Sequence, residues 1–526
     1  MASQEPTATC VIPPLQTSWE RYPMPKNAGN DFGPPNVPQG KARNGQPKYT
    51  PPKGEKVRNL IMVIPDGFGP ASQVMARDFV QWNNTEHGWN YQLAADTIQI
   101  GSVRTRSSSS YITDSAAGAT AYACAIKTYN GGAAVDENGN PCGTVLEAAK
   151  LAGYKTGLVV TSHVTDATPA AFASHIWDRN QEDKIAVQIV GNQPLGRVVD
   201  LIFGGGLAYF QPNTTAGSAR TDARDLIREA QLKGVHTLST RSEFDELQGG
   251  TKASLPILGL FAPRSIPYEI DRSPNMEPSL LEMTQTALET LKRATADKEK
   301  GFFIMIEASK IDFAGHANDL VGHLSEILMY NRVVEYLKNF VDKNPGTVLV
   351  GTADHECGGL TLGGIVEGGN YQFNPAPLAQ AKHTAGYVAV AWSEYNGTEP
   401  DSYLTGLFAD YGIRDANSTE VLVAKEHKSD SGFVTRHFGQ SMNRRTMSQW
   451  ATLQHTGVDV NLIGYGPNVR RLSGNRDNTE IGQFIAEQLG LDLPAVTDIL
   501  NDKRNEYWLV NEVGRDKVEG GEPIES

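Results

Sequence analysis

Residues 57–65 read VRNLIMVIP, a continuous apolar run of strand length. The sequence DGFG follows at residues 66–69, and a helix is predicted from Ala71. Continuous apolar runs are typical of strands that are buried on both faces, as in parallel sheets. The stretch therefore predicts a central strand with polar residues at its carboxyl end.

The same arrangement recurs along the chain. Further apolar runs predict strands at Tyr154–Thr161, Val198–Phe203, Gly301–Ile306, Thr347–Thr352 and Val458–Ile463. Helical spacing of apolar residues lies between them, most clearly at His323–Val341 and Ile481–Leu489. This alternation predicts an α/β fold with a large, mostly parallel central sheet and helices on both faces.

Two segments interrupt the alternation, 207–280 and 357–450, and both are predicted to be insertions on the core. Residues 1–56 are rich in Pro, Gly, Asn and Gln, which is typical of an extended arm. The predicted divisions are an N-terminal arm at 1–56, an α/β core at 57–356 and 451–500, an inserted subdomain at 357–450 and a C-terminal tail at 501–526.

The composition is that of an ordinary globular protein, with 39% hydrophobic and 20% charged residues. The 47 basic and 60 acidic residues leave a net charge of −13. Such a balance argues against a nucleic-acid-binding surface or an anionic-membrane footprint. An anionic substrate would therefore need local positive charge from metal ions or a few arginines.

The four cysteines are too sparse for a disulfide scaffold. Cys124 is predicted to be a buried free thiol, and Cys142 has the option of pairing. Cys357 closely follows an Asp-His pair, where ligation is possible but a loop thiol is favoured.

Targeting signals are weak. No apolar run approaches the roughly 18 residues of a membrane span, and no signal peptide is visible at the start. Asn-x-Ser/Thr sequons occur at Asn83, Asn213, Asn396 and Asn417. They matter only if the chain enters a secretory route.

Residues 111–130 read YITDSAAGATAYACAIKTYN. Alanine dominates Ala116–Ala125 and predicts a helix, with Thr113 or Asp114 as its N-cap. Ser115 then lies in the first turn, where free N–H groups and the helix dipole favour anions. On its own the segment is better explained as a plain capped core helix.

Chemistry-bearing side chains collect at the predicted strand ends, where sites form in open α/β sheets. They are Asp66, Asp166, Thr168, Glu307, Asp354 and His355, with Asp312 and His316 close behind Glu307, and His455 just before the last strand. Each alone has a structural explanation, such as a cap or a satisfied polar histidine. Their joint placement predicts one site.

These side chains, together with Ser115, offer more imidazole, carboxylate and hydroxyl ligands than one metal ion needs. One zinc site is predicted from Asp312, His316 and His455, a second from Asp66, Asp354, His355 and the Ser115 oxygen, and an all-oxygen magnesium site from Asp66, Thr168 and Glu307. Two neighbouring ions suit an in-line displacement at phosphorus. Ser115 would be the metal-activated nucleophile and Arg179 the bidentate phosphate clamp.

Together these residues resemble the alkaline phosphatase family. The motifs PDGFGP, TDSAAGATA, DATP, EASKIDFAGH, TADHECGG and QHTG occur in the family's order, between about Asn59 and Leu493. TDSAAGATA and KTYNG are highly specific. The run PCGTVLEAAKLAGYKTGLVVTSHVTDATPAAFASH and the later NTEIGQF look most like fungal vacuolar members.

The resemblance implies phosphate-monoester hydrolysis through transient phosphorylation of Ser115, with two zinc ions and one magnesium ion. It implies that Arg179 clamps phosphate and that Asp166 is a nearby carboxylate, which acts on magnesium through water in bacterial members. Asp114 is expected to orient Arg179 by a salt bridge. The segment 357–450 corresponds to the family's variable crown-like insertion. A homodimer and a vacuolar, secreted or other extracytoplasmic location are also implied.

The chain departs from the family at Phe313, where Lys or His is frequent. An aromatic side chain cannot donate a hydrogen bond to a phosphate-bound water, so weaker phosphate binding and faster product release are expected. Fungal vacuolar members carry an N-terminal membrane anchor, and none is visible in this sequence.

Other functions fit parts of the pattern. A metal-dependent phosphodiesterase or a phosphomutase shares the superfamily fold, although TDSAAGATA with Arg179 favours the monoesterase. A non-enzymatic scaffold that binds phosphate or metal is a different class. Every nucleophile, clamp and ligand position is filled, which favours an enzyme acting on small phosphomonoesters.

Overall fold

Fourteen strands occur in the residues that the computed structural model describes, 56–84, 89–364 and 372–515. The N-terminal arm predicted at 1–56 lies outside this part of the chain except for Lys56. The strands are β1 (Asn59–Pro65), β2 (Gln99–Arg104), β3 (Lys155–His163), β4 (Leu201–Gly205), β5 (His236–Leu238), β6 (Ile257–Leu260), β7 (Phe302–Ala308), β8 (Thr347–Thr352), β9 (Glu356–Cys357), β10 (Thr361–Leu362), β11 (Ser448–Gln449), β12 (His455–Thr456), β13 (Val460–Tyr465) and β14 (Gly474–Asp477).

Ten of these strands form one sheet in the order β14-β2-β13-β8-β1-β7-β3-β4-β6-β5. Strand β13 is antiparallel to both of its neighbours, and the other pairings in the sheet are parallel. The predicted mostly parallel sheet is therefore confirmed.

Helices connect the strands and cover the sheet. They are α1 (Pro70–Asn83), α2 (Ser115–Cys124), α3 (Val145–Leu151), α4 (Ala167–Ala173), α5 (Glu182–Ile189), α6 (Leu226–Leu232), α7 (Arg241–Glu246), α8 (Leu280–Ala294), α9 (Lys310–His316), α10 (Leu320–Lys343), α11 (Ala385–Glu394), α12 (Pro400–Asp410), α13 (Ser418–Glu426), α14 (Ser431–Thr446), α15 (Asn478–Leu489), α16 (Leu493–Leu500) and α17 (Glu506–Trp508).

The apolar run that predicted the first strand forms the middle of the sheet. All seven residues of β1 are buried, between β7 on one side and β8 on the other. Ile61 pairs in parallel with Ile304 of β7 and with Leu349 of β8. The carboxyl ends of the three strands therefore meet at one edge, where Asp66, Glu307 and Asp354 follow or end them.

The prediction of an insertion at 207–280 is wrong in part, because this segment contributes two strands to the central sheet. Strand β6 pairs with β4, and β5 pairs with β6 at the sheet edge. Both strands are short, with three and four residues, and they are separated by polar sequence. Strand β5 has one buried residue, and β6, although buried throughout, has only four residues, so each leaves little hydrophobic signal.

Segment 357–450 carries the helices α11 to α14 and the short strands β9 to β11, with residues 365–371 outside the described part. Between its helices Phe408 and Phe438 approach to 4.3 Å between ring centroids, and both belong to the same hydrophobic core as the central sheet. Strand β9 pairs with β12, just before β13 of the central sheet. Within the described ranges, no helix is both long enough and apolar enough to cross a membrane.

Cys124 is not a free thiol as predicted, because it forms a disulfide bond with Cys142. The bond connects the last residue of α2 to the segment that precedes α3. Both cysteines are fully buried, so the predicted burial of Cys124 is confirmed although its predicted free state is not. The sequence left the pairing of Cys142 open, and the structure identifies its partner.

Candidate active site

A cavity of about 570 Å³ opens at the carboxyl ends of the central strands. Its lining includes Ser115, Arg179, Asp312, His316 and His455, all of them predicted site residues. Ser115 lies in α2, and Arg179 lies in the loop before α5. Asp312 and His316 lie in α9, and His455 lies in β12. Parallel strand ends and helix N-termini meet at this edge of the sheet, which explains why distant segments converge there.

Ser115 is the first residue of α2. Asp114 is the N-cap of this helix and was one of the two residues predicted for that position. All ten residues of α2 are buried. Gly118 allows the helix to lie against the end of β8, since a Cβ atom at this position would be 3.1 Å from Cβ of Asp354. The packing brings Oγ of Ser115 to 3.1 Å from Nε2 of His355.

The residues of the second predicted zinc site lie together around His355. Its Nε2 is 3.1 Å from Oδ2 of Asp354 and 3.6 Å from Oδ1 of Asp66. The Ser115 oxygen lies at a similar distance from the same nitrogen. Two carboxylates, an imidazole and a hydroxyl therefore share one small buried volume.

The residues of the first predicted zinc site also meet. Nε2 of His316 is 3.2 Å from Oδ2 of Asp312, and Nε2 of His455 is 3.5 Å from Oδ1. Nδ1 of His316 faces the Leu453 carbonyl at 2.6 Å, and Nδ1 of His455 faces the Thr113 carbonyl at 2.9 Å. In the neutral tautomers these Nδ1–H groups donate, so both Nε2 atoms offer lone pairs.

These two Nε2 atoms are only 3.1 Å apart. Two lone pairs facing each other at this distance would repel, so either a proton on one nitrogen or a cation between the two is required. Burial opposes the imidazolium of His316, but Asp312 outweighs it and raises the pKa of His316 to about 9. Burial and the charge of His355 lower the pKa of His455 to about 4.

Several side chains of the predicted ligand sets have a buried polar atom that lacks a hydrogen-bond partner among the described residues, which fits metal binding. Buried atoms of this set without a hydrogen-bond partner in the described part of the chain are Asp66 Oδ1, Thr168 Oγ1, Asp312 Oδ1, Asp354 Oδ2 and His355 Nδ1. Buried polar atoms normally have partners. Their common membership in the predicted ligand sets indicates that cations belong here.

Carboxylates crowd the same region. Burial and the charges of Asp354, Asp312 and Glu307 raise the pKa of Asp66 well above its usual range. Burial and the charge of Asp166 raise the pKa of Glu307 to about 8. Oε2 of Glu307 also accepts a hydrogen bond from Ser309 at 2.7 Å. Cations bound among these groups would relieve their repulsion and keep them ionised.

Arg179 lies between two acidic side chains. Its Nη1 is 3.2 Å from Oδ2 of Asp114, and its Nη2 is 3.1 Å from Oδ1 of Asp166. Burial opposes the charge of Arg179, but these carboxylates outweigh it and raise its pKa. The predicted salt bridge between Asp114 and Arg179 is therefore present, beside the cap that Asp114 provides for α2.

Two residues occupy positions that the sequence did not settle. Phe313 is half-buried on α9, next to Asp312, and is not among the described residues that line the cavity. Cys357 lies in β9 rather than in a loop, and its Sγ is within 4.8 Å of donor atoms of Asp312, His316 and His455. The only sequence signal for Cys357 was its closeness to Asp354-His355.

Comparison with known proteins agrees with this geometry. Residues 57–491 match the family model described as alkaline phosphatase. An alkaline phosphatase of Schizosaccharomyces pombe is 45% identical over 85% of this chain and 84% of its own length. A repressible alkaline phosphatase of Saccharomyces cerevisiae is 42% identical over 86% and 84%. The crystal structure of Thermus thermophilus alkaline phosphatase is 29% identical, with a TM-score of 0.72 over 86% of this chain and 94% of that one.

The chain belongs to the alkaline phosphatase family. It is an enzyme of the phosphoric monoester hydrolase class, with the central sheet of that family and, at the sheet edge, a cluster of residues that could hold a metal ion. The family resemblance predicted from TDSAAGATA and the strand-end residues is thereby confirmed.

Proposed function

We propose that the chain hydrolyses phosphate monoesters through a phosphoserine at Ser115, with two zinc ions and one magnesium ion. The main support for this proposal is the position of Ser115 Oγ, at the N-terminus of α2 and 3.1 Å from Nε2 of His355. The proposed ligands are Asp312, His316 and His455 for one zinc ion, Asp66, Asp354, His355 and Ser115 for the other, and Asp66, Thr168 and Glu307 for magnesium.

The chain's own residues account for binding and transfer. Each terminal nitrogen of Arg179 uses one N–H toward a carboxylate and retains a second N–H for a phosphate oxygen. Oγ of Ser115 then loses its proton to solvent and forms a bond to phosphorus as the bond to the leaving oxygen breaks, and that oxygen takes up a proton from solvent to leave as the alcohol. Water cleaves the serine ester in the second step, which releases inorganic phosphate and restores Ser115.

Bound zinc and magnesium ions would supply charge stabilisation for the attacking and leaving oxygens and would lower the pKa of the nucleophilic hydroxyl. The carboxylates near Arg179 limit the positive charge that the protein alone provides. The family's metal dependence therefore fits the acidic character of this site.

A chromogenic phosphate monoester at alkaline pH tests the proposal, with and without a chelator. Ser115→Ala should lower kcat by at least about 10³-fold and should abolish covalent labelling by radioactive phosphate. Ser393→Ala, at an exposed serine of α11, is the matched control and should keep both. Labelling that persists in Ser115→Ala would place the covalent intermediate elsewhere.

The same assay separates the alternatives. A phosphodiesterase would prefer a diester over the corresponding monoester, and a phosphomutase would move phosphate between positions of one substrate. A scaffold would bind phosphate without turnover. Ser115 and Arg179 line the same cavity, which favours monoester hydrolysis over these alternatives.

We also propose a homodimer in an extracytoplasmic compartment. The disulfide between Cys124 and Cys142 supports an oxidising location. The sequon residues Asn213, Asn396 and Asn417 are exposed, as glycosylation requires. Light scattering of the full chain and of a variant without the first 56 residues tests the dimer and the role of the arm. An unchanged dimer in the shortened chain would exclude that role.

A further inference from the structure

Arg179 is the one Lys or Arg side chain among the described residues that line the cavity. It lies in a connecting segment, after α4 ends at Ala173 and before α5 begins at Glu182. A phosphate clamp must be held within a fraction of an ångström to act. The contacts that position this segment therefore determine how well the clamp works.

Backbone pairing attaches the segment to residues 131–134. Ala133 and Ile176 exchange two hydrogen bonds of 2.9 and 3.0 Å, and the Arg179 amide donates to the Gly131 carbonyl at 2.9 Å. The Gly131 amide in turn donates to Oδ2 of Asp114 at 3.0 Å. Residues 131–134 thus connect the clamp to the N-cap of the Ser115 helix.

His175 fixes the other end of this connection. Its ring is fully buried, with Nδ1 2.8 Å from the Ala134 carbonyl and Nε2 2.9 Å from Oε1 of Glu147. The Gln188 side chain bonds both the amide and the carbonyl of His175, at 2.9 and 2.8 Å. Glu147 is itself held, because its Oε2 accepts from the Thr144 amide at 3.0 Å.

Both ring nitrogens of His175 therefore face acceptor groups. A neutral imidazole has one N–H, so satisfying both contacts requires a proton shared within the His175–Glu147 pair. Burial opposes a charged His175, but Glu147 outweighs it and raises the pKa of His175. The pair makes two directional bonds where water has no access.

We propose that His175 and Glu147 are positioning residues that set the place of Arg179 through residues 131–134. This inference rests on the proposed role of Arg179 in binding phosphate. His175 does not line the cavity, so it acts on the substrate only through the clamp.

The test measures the inhibition constant of inorganic phosphate and kcat/KM for a chromogenic monoester in the metal-loaded full chain. His175→Phe should weaken phosphate binding by about tenfold or more, with zinc and magnesium content unchanged. In the Arg179→Ala background the same substitution should have little further effect, because the residue it positions is gone. A general structural defect would instead add to the loss.

Glu147→Gln is the second variant and should show the same dependence on Arg179 if His175→Phe fails to fold. His437→Phe is the matched control, since it removes a buried hydrogen bond from Nε2 to the Glu420 carbonyl in α13. It should lower stability without changing phosphate inhibition. Unchanged phosphate inhibition in the folded variants, or an equal loss in the Arg179→Ala background, overturns the inference. A wild-type chain that neither binds phosphate nor hydrolyses esters would instead refute the proposed function.

Discussion

Oδ2 of Asp114 lies 3.2 Å from Nη1 of Arg179, while Oδ1 of the same carboxylate accepts the Ala117 amide at 3.0 Å. One side chain thus caps the helix that begins at Ser115 and orients the candidate clamp. Asp114 therefore contacts both the helix of the candidate nucleophile and the candidate phosphate-binding group.

The two tasks of Asp114 can be separated by substitution. Asp114→Asn retains an oxygen for the cap but loses the charge that pairs with Arg179, so phosphate inhibition should weaken about tenfold with little loss of stability. Asp114→Ala should lose both and should lower the free energy of unfolding by about 1 kcal/mol. Phosphate inhibition and urea unfolding measure the two effects. Wild-type phosphate affinity in Asp114→Asn would reduce the residue to a cap.

Phosphate affinity should rise in Phe313→His. The residue adjoins Asp312 on α9, and an imidazole there can donate to a phosphate-bound water where a phenyl ring cannot. The inhibition constant of inorganic phosphate should fall and kcat should fall with it as product release slows. Phe313→Leu, which has no donor, is the control. An unchanged or larger inhibition constant in Phe313→His contradicts the expectation.

Metal removal should destabilise the fold as well as stop turnover. The carboxylates of Asp66, Asp312 and Asp354, each with a buried oxygen that lacks a hydrogen bond within the described ranges, would repel one another once bound cations leave. A chelator should lower the thermal midpoint by at least about 5 °C, and added zinc and magnesium should restore it. Scanning calorimetry before and after dialysis measures this. Equal midpoints with confirmed metal loss would argue against these residues as ligands.

The disulfide should contribute to stability. Cys124 and Cys142 are 18 positions apart, so replacing both with alanine should lower the free energy of unfolding by about 2–4 kcal/mol. Thiol titration of the denatured protein should find two more thiols after reduction than before. Equal thiol counts would show that the bond does not form in solution.

A salt bridge far from the active site gives a pH-dependent contribution. Burial raises the pKa of Glu420, but Arg445 and Arg444 outweigh it and hold the pKa at about 2. The unfolded value is about 4.3, so Glu420 stabilises the fold above that pH and loses its contribution as pH falls toward 2.

Glu420→Gln should therefore cost about 1–3 kcal/mol at pH 7 and progressively less below about pH 4.3. Urea unfolding of both proteins at several pH values measures the difference. Glu426→Gln, at an exposed position of the same helix, should cost less than about 0.5 kcal/mol throughout. A cost for Glu420→Gln that stays constant with pH would exclude a charge-dependent role.

The sequence predicted what depends on local pattern. Strand β8 matches its predicted bounds, Thr347–Thr352, because a short continuous apolar run is typical of a buried strand. Ser115 and its cap were predictable because Asp before an alanine-rich run is a strong helix start. By contrast, β5 has three residues and one buried side chain, too little for a periodic signal.

The contacts between distant segments were less accessible. The pairing of His175 with Glu147 joins residues 28 positions apart, and no local sequence pattern indicates such a contact. The disulfide partner of Cys124 was equally hidden, since spacing does not fix connectivity. Cys357 lies close to Asp312, His316 and His455 because β9 pairs with β12, and this pairing between distant segments is not visible in the local sequence.

The antiparallel strand β13 and the short strand β12 before it have a consequence for biosynthesis. His455 is supplied by β12 and is among the last of the candidate ligands to leave the ribosome, long after Asp66 and Ser115. The candidate site therefore lacks its final imidazole until most of the strands of the central sheet have been synthesised. A chain that terminates before β12 also lacks α15, which packs against the helix that begins at Ser115, so both a candidate ligand and part of the support of that helix are missing.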